Sequence, residues 1–169
     1  IQGNVAYDGN GGAISILGGN FTLDDSNSPE DKKAYIIENA ALGTGGKGHG
    51  GGIYVAQASD TADDEIIVQL ISGSISGNSA DGNGGGICVD MGDNTKASLT
   101  VKVSDEIHDA SDTLSIRNNS ASSKGGGMYV NGAKASVLLY DGKILDNGTS
   151  SYQVNPDITV DGGGVVTLS

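Results

Sequence analysis

The residues of this chain that could do chemistry are few and scattered. Two histidines (His49, His108), one cysteine (Cys88) and one arginine (Arg117) stand beside 21 acidic residues. Adjacent carboxylates occur at Asp24-Asp25 and Asp63-Asp64. Glycoside hydrolysis needs two carboxyl groups converging at about 5–9.5 Å across the scissile bond. Neighbours along a strand or loop usually diverge, so neither pair meets that condition alone. A polysaccharide lyase would need Ca²⁺ with an Arg or Lys base, and Arg117 lies inside a repeated motif. Cys88 has no His or other base in its own segment, which argues against an activated thiolate. His49 and His108 lack partners at zinc-like spacing. Asp90-x-x-Asp93-Asn94 and Asp105-Glu106 carry loop oxygens that suit Ca²⁺ but follow no EF-hand order. No cofactor and no metal are expected.

The bulk composition narrows the field further. Nine basic against 21 acidic residues give a net charge of −12, which repels a phosphate backbone and excludes nucleic-acid binding. No apolar run approaches the roughly 18 residues of a membrane helix, so membrane insertion is not expected. The 15 Ile and 12 Val outnumber the 10 Leu, a bias toward strands. The 29 Gly cluster before short strands and not before helices, which excludes a phosphate-cradling loop. A single Cys cannot form an internal disulfide.

Those elements repeat. Five Gly-rich triplets each precede an apolar strand: Gly11-Gly12-Ala13, Gly50-Gly51-Gly52, Gly84-Gly85-Gly86, Gly125-Gly126-Gly127 and Gly162-Gly163-Gly164. Each follows an Ile-x-x-Asn element followed two residues later by a small residue, with the asparagines at Asn4, Asn39, Asn78, Asn119 and Asn147. Runs such as Ile66–Leu70 and Leu99–Val103 alternate apolar with polar, the period of a half-buried strand. A unit of 34–41 residues with about three short strands fits one coil of a parallel β-solenoid. A sandwich of hairpins is the runner-up, with few Asn-Gly or Asp-Gly pairs to support it.

Residue types explain the repeat. Gly tolerates positive φ and close backbone approach, so Gly12, Gly51, Gly85, Gly126 and Gly163 are expected to stack at one corner. Asn visits the left-handed region and can bond coil to coil, so the five Asn are expected to form a structural ladder. Ile14, Ile53, Ile87, Met128 and Val165 should point inward. The next residues, Ser15, Tyr54, Cys88, Tyr129 and Val166, should point outward, leaving Cys88 semi-exposed. Tyr54 and Tyr129 are candidates for ligand contact as part of a sugar-stacking platform, or simple strand filling.

With these residues on the page, the chain resembles the right-handed parallel β-helix repeats of large bacterial surface proteins. Gly73-Ser74-Ile75-Ser76-Gly77-Asn78-Ser79-Ala80 followed by Gly84-Gly85-Gly86-Ile87 carries the likeness. Gly11-Gly12-Ala13-Ile14 looks like the Gly-Gly-Ala-Ile element of chlamydial polymorphic outer-membrane proteins, whose companion element has Phe where this chain has Ile. The resemblance implies an all-β, right-handed, single-stranded parallel β-helix of about four to five coils of 34–41 residues. It also implies one segment over residues 1–169, excised from a longer exported chain, with neighbouring coils of that parent as partners.

The function so implied is non-catalytic. It is a rigid, adhesin-like stalk at a bacterial cell surface or secreted, binding glycan or a host surface through its loops. The alternative is a carbohydrate-active β-helix enzyme, a polysaccharide lyase or glycoside hydrolase on acidic polysaccharide, as in pectate lyases. Polygalacturonase-like sites join clustered Asp to Gly-His-Gly and a downstream Arg-x-Lys. Gly48-His49-Gly50 is present within a Gly-rich run, but Arg117 is followed by Asn118. On this reading replacing His49, Asp63 and Asp64 together by Ala leaves fold and adhesion nearly unchanged, and the loops Leu42–His49, Asp105–Asp112 and Gly148–Asp161 would carry any binding.

Overall fold

The structure, a computed structural model, describes residues 1–29, 33–57, 65–93, 98–103, 113–149 and 157–168. Every strand pairing among them is parallel, and each strand pairs with the one four elements further along the chain. That is the topology of a parallel β-helix and excludes the hairpin sandwich. A coil contains four strands and not three, because the residues after each ladder Asn form a short strand of their own.

The first sheet stacks β1 (Val5–Tyr7), β5 (Ala40–Leu42), β9 (Ser79–Ala80), β13 (Ser120–Ala121) and β17 (Gly148–Thr149). The second stacks β2 (Ile14–Ile16), β6 (Ile53–Ala56), β10 (Ile87–Asp90), β14 (Met128–Asn131) and β18 (Ile158–Asp161). The third contains β3 (Phe21–Leu23), β7 (Glu65–Leu70), β11 (Ser98–Val103), β15 (Ala135–Leu139) and β19 (Val165–Leu168). The fourth contains β4 (Tyr35–Ile37), β8 (Ser74–Ser76), β12 (Ser115–Arg117) and β16 (Lys143–Leu145).

Alternation decides what enters the narrow core. Ile53, Ile87 and Met128 from the second sheet, Val68 and Val101 from the third, and Ile75 and Ile116 from the fourth are fully buried and in mutual register. Each such side chain contributes about 1.5–3 kcal/mol by leaving water. β-Branched residues suit this stack because their stiff side chains lie flat against the equivalent residue one coil away.

The last coil departs from the expected pattern. Met128 is in register with Ile158, and Tyr129 with Thr159, so Ile158 and not Val165 continues the inward column. Val165 belongs to the third sheet, where it is exposed, while Val166 lies beside Val137 and packs on the core. The inward and outward assignments of Val165 and Val166 are therefore reversed. The step between the last two ladder asparagines is 28 residues, shorter than the 34–41 expected of a coil.

Candidate functional site

The corner between the fourth and first sheets is built around amides. Asn4 Nδ2 donates to Asn39 Oδ1, Asn39 to Asn78 and Asn78 to Asn119, then Asn119 to Asn147, at 2.9–3.0 Å. The backbone N–H of each donor reaches the same oxygen at 3.0 Å. Asn78 Nδ2 also donates to Ile36 O at 2.9 Å, so this 1% exposed side chain is satisfied on both ends. The residue before each ladder Asn is left-handed, with φ of 57° at Glu38, 54° at Asn118 and 58° at Asp146, and with Gly3 and Gly77 in the other coils. That turn aims each amide down the column.

The glycine corner is a matter of space. A Cβ on Gly85 would lie inside contact distance of the backbone oxygens of Gly126 and Ser120 in the next coil, and Gly12, Gly51 and Gly126 are in the same position. Gly163 is not part of this corner. It lies between β18 and β19 with φ of 80°, over Ala133, because Ile158–Asp161 has already taken the place beside β14. A Gly triplet suits any sharp corner of a coil, so its sequence alone does not say which one it makes.

On the outer face of the second sheet, Cys88 lies in register between Tyr54 and Tyr129. It is 1% exposed and not semi-exposed, and burial, with Asp90 nearby, pushes its thiol pKa well up. Such a thiol is held in its protonated, unreactive form. Tyr129 is 7% exposed and donates its hydroxyl to Asp161 Oδ2 at 3.1 Å. Burial first and the Asp161 bond second raise its pKa. Lys124 Nζ meets the same Asp161 oxygen at 2.6 Å and holds that carboxyl below its usual range. Tyr54 is half-buried, and burial followed by Asp90 raises its pKa to about 12. Of the two rings, Tyr54 alone has appreciable free surface.

Among the described residues, the carboxylates weighed for catalysis hold other partners. Asp25 is 4% exposed, accepts the Ala34 N–H, and its own N–H donates to Ser72 Oγ at 2.7 Å. Asp24 accepts from Ser26 N and Ser72 Oγ. Asp90 accepts from Asn131 Nδ2 at 2.8 Å and from Gly92 N. Arg117 is exposed on β12, in register with Ser76 and Leu145. Among the described residues no three metal-ligating side chains come together. Asp63-Asp64, Asn94, Asp105-Glu106, His108 and the whole Asp105–Asp112 loop lie outside the described residues, as does the stretch 150–156 of the Gly148–Asp161 loop.

Two features escaped sequence reasoning. Asn10 Oδ1 accepts the His49 N–H at 3.0 Å, His49 Nδ1 accepts the Asn83 N–H at 2.8 Å, and Asn83 Oδ1 accepts the Lys124 N–H at 3.1 Å. This second ladder runs along the position just before each Gly pair, so Gly48-His49-Gly50 is part of a structural corner in which the His49 ring holds the next coil. The shared Asn10-Gly11 and Asn83-Gly84 spacing was the available signal. The other missed residue is Asp157, whose Oδ1 accepts both the N–H and the Nδ2 of Asn147, at 3.0 and 2.8 Å.

Set beside known families, residues 72–90 match the Chlamydia polymorphic membrane protein repeat. The match spans β8 to β10 and contains both Asn78 and Gly84-Gly85-Gly86. No curated protein and no solved structure matches the chain.

Proposed function

We propose that this chain is a non-catalytic, rigid β-helix segment of a bacterial surface or secreted protein, in which the coils are scaffold and the loops make contact. The observation that carries the reading is where the polar side chains are used. The side chains of Asn78, His49, Asp25 and Asp161 each bond to another coil or turn, so among the described residues these polar groups hold the solenoid together. The short repeat match supports surface display. A glycan or a host surface would be met by the exposed tip Thr44–Lys47 and by Tyr54, through weak contacts multiplied along the stalk.

A glycan array and host-cell adhesion measurements, run beside hydrolase and lyase assays on acidic polysaccharides, test this. Binding without cleavage is expected, weakened by Thr44→Ala with Lys47→Ser at unchanged melting temperature, Gly45 and Gly46 being kept for their positive φ. Saccharide cleavage by the purified wild-type chain would overturn the scaffold reading in favour of a β-helix enzyme.

A further inference from the structure

The outer face of the second sheet builds one arrangement twice. Tyr129 is in register with Thr159 of the next coil, and two residues on, along the same face, Asp161 accepts its hydroxyl. Tyr54 is in register with Cys88, and two residues on along that face lies Asp90. Five residues before each tyrosine stands a member of the second ladder, Lys124 before Tyr129 and His49 before Tyr54. Their backbones are bound alike. The Lys124 N–H donates to Asn83 Oδ1 at 3.1 Å and the His49 N–H to Asn10 Oδ1 at 3.0 Å. Their carbonyls accept from the Gly84 and Gly11 N–H groups of the preceding coil, both at 2.9 Å.

The side chains then part. Lys124 Nζ reaches Asp161 Oδ2 at 2.6 Å, on the oxygen that also takes the Tyr129 hydroxyl, so ring, carboxylate and ammonium converge. His49 instead turns Nδ1 to the Asn83 N–H and lies over Gly82, and it brings no ammonium to Asp90. Asp90 Oδ1 accepts from Asn131 and Gly92, while Oδ2 takes no partner among the described residues. Burial first and Asp90 second raise the Tyr54 pKa, which places the carboxyl close to the ring, and Asn10 bonds the hydroxyl. Tyr54 and Asp90 are both half-buried. A carboxylate beside an aromatic ring suits an ammonium on a flexible stem, because the stem packs on the ring while the charge meets the oxygen. The net charge of −12 draws basic partners to this surface and repels acidic ones.

We propose that Tyr54 and Asp90 form a docking site for a lysine side chain of a partner protein, the role Lys124 plays against Tyr129 and Asp161 within the chain itself. The inference rests on the reading of the chain as a contact-making stalk. Titration of the full 169-residue chain with a hexalysine peptide, followed by amide NMR shifts, tests it. Saturable shifts at Asp90 and Gly92 are expected, lost at high salt and absent with the peptide acetylated on every Nε. Asp90→Asn keeps an acceptor for Asn131 and Gly92 and should weaken binding by about threefold or more. Asp146→Asn, the same charge change at an exposed turn of another corner, should leave binding nearly unchanged. His49→Lys supplies the chain's own ammonium to Asp90 and should weaken binding as Asp90→Asn does. Absence of binding, equal binding of the acetylated peptide, equal effects of the two aspartate variants, or a folded His49→Lys variant that binds as wild type overturns the proposal. Shifts with glucosamine oligomers but not with hexalysine overturn it in favour of an amino sugar. If His49→Lys does not fold, the two aspartate variants decide. None of these outcomes bears on the scaffold reading, which saccharide cleavage decides.

Discussion

His49 Nδ1 accepts the backbone N–H of Asn83 at 2.8 Å across 34 residues of sequence, and its ring lies over Gly82. The bond requires the tautomer with its proton on Nε2. His49→Ala leaves the Asn83 N–H without its acceptor at a half-buried corner, a loss of about 1–2 kcal/mol. Thermal melts should fall by roughly 2–8 °C. His49→Asn should recover most of the loss, since Asn10 and Asn83 serve the same column. Equal melting of wild type and His49→Ala would refute the second ladder.

Position along the asparagine column should set the cost of breaking it. Asn78→Ala removes the acceptor of two Asn39 donors and the Nδ2 donor to Ile36 O and Asn119 Oδ1, leaving Asn119 Oδ1 with the backbone N–H alone. A loss on the order of 3 kcal/mol or more follows from buried groups left unpaired. Asn4→Ala sits at the exposed end and should cost about 1 kcal/mol or less. Urea titrations that rank the two in the other order would contradict this account.

Glycine substitutions should divide by available space. Gly85→Ala drives a methyl into the Gly126 and Ser120 oxygens of the next coil, where backbone must move, and should cost about 3 kcal/mol or more. Gly45→Ala has open space and pays only for its φ of 64°, about 1 kcal/mol. The test is whether circular dichroism melts separate the two by several degrees.

Alkaline pH should loosen the outer face of the second sheet. Burial, then Asp90, pushes the Tyr54 hydroxyl up to about 12 in the folded chain from the usual 10.0, so the folded state holds this proton more tightly. The stabilisation is therefore complete below pH 10 and is lost as pH rises toward 12. Cys88, pushed up by burial, extends the decline to lower pH, since an unfolded thiol ionises before an unfolded tyrosine. Melting temperatures measured from pH 8 to 12 should fall, and less steeply in Tyr54→Phe. Parallel curves for variant and wild type would count against the assignment.

The period of the Ile-x-x-Asn and Gly elements is a local, repeating signal, and in a solenoid stacking one repeat on the next is the tertiary structure. That is why Asn39, Asn78 and Asn119 could be aligned on paper, and Ile53 with Ile87. The reading weakened where repetition did. The last triplet, Gly162-Gly163-Gly164, imitates the motif but turns a different corner, since Gly suits any tight bend.

By itself the sequence determined the fold class, the inward Ile and Met column of the inner coils and the absence of a helical period, because side-chain alternation and glycine tolerance act residue by residue. Tertiary structure alone decided which groups meet across coils. It buried Cys88 in the strand between those of Tyr54 and Tyr129, paired Tyr129 and Lys124 on Asp161, and gave His49 to Asn83. It also placed Asp157, ten residues beyond Asn147, at the end of the amide ladder. The contacts of Asp157 and Asp161 join positions with no common motif, at distances set by loop lengths, and hydrogen bonding selects them only once the coils are stacked about 4.8 Å apart.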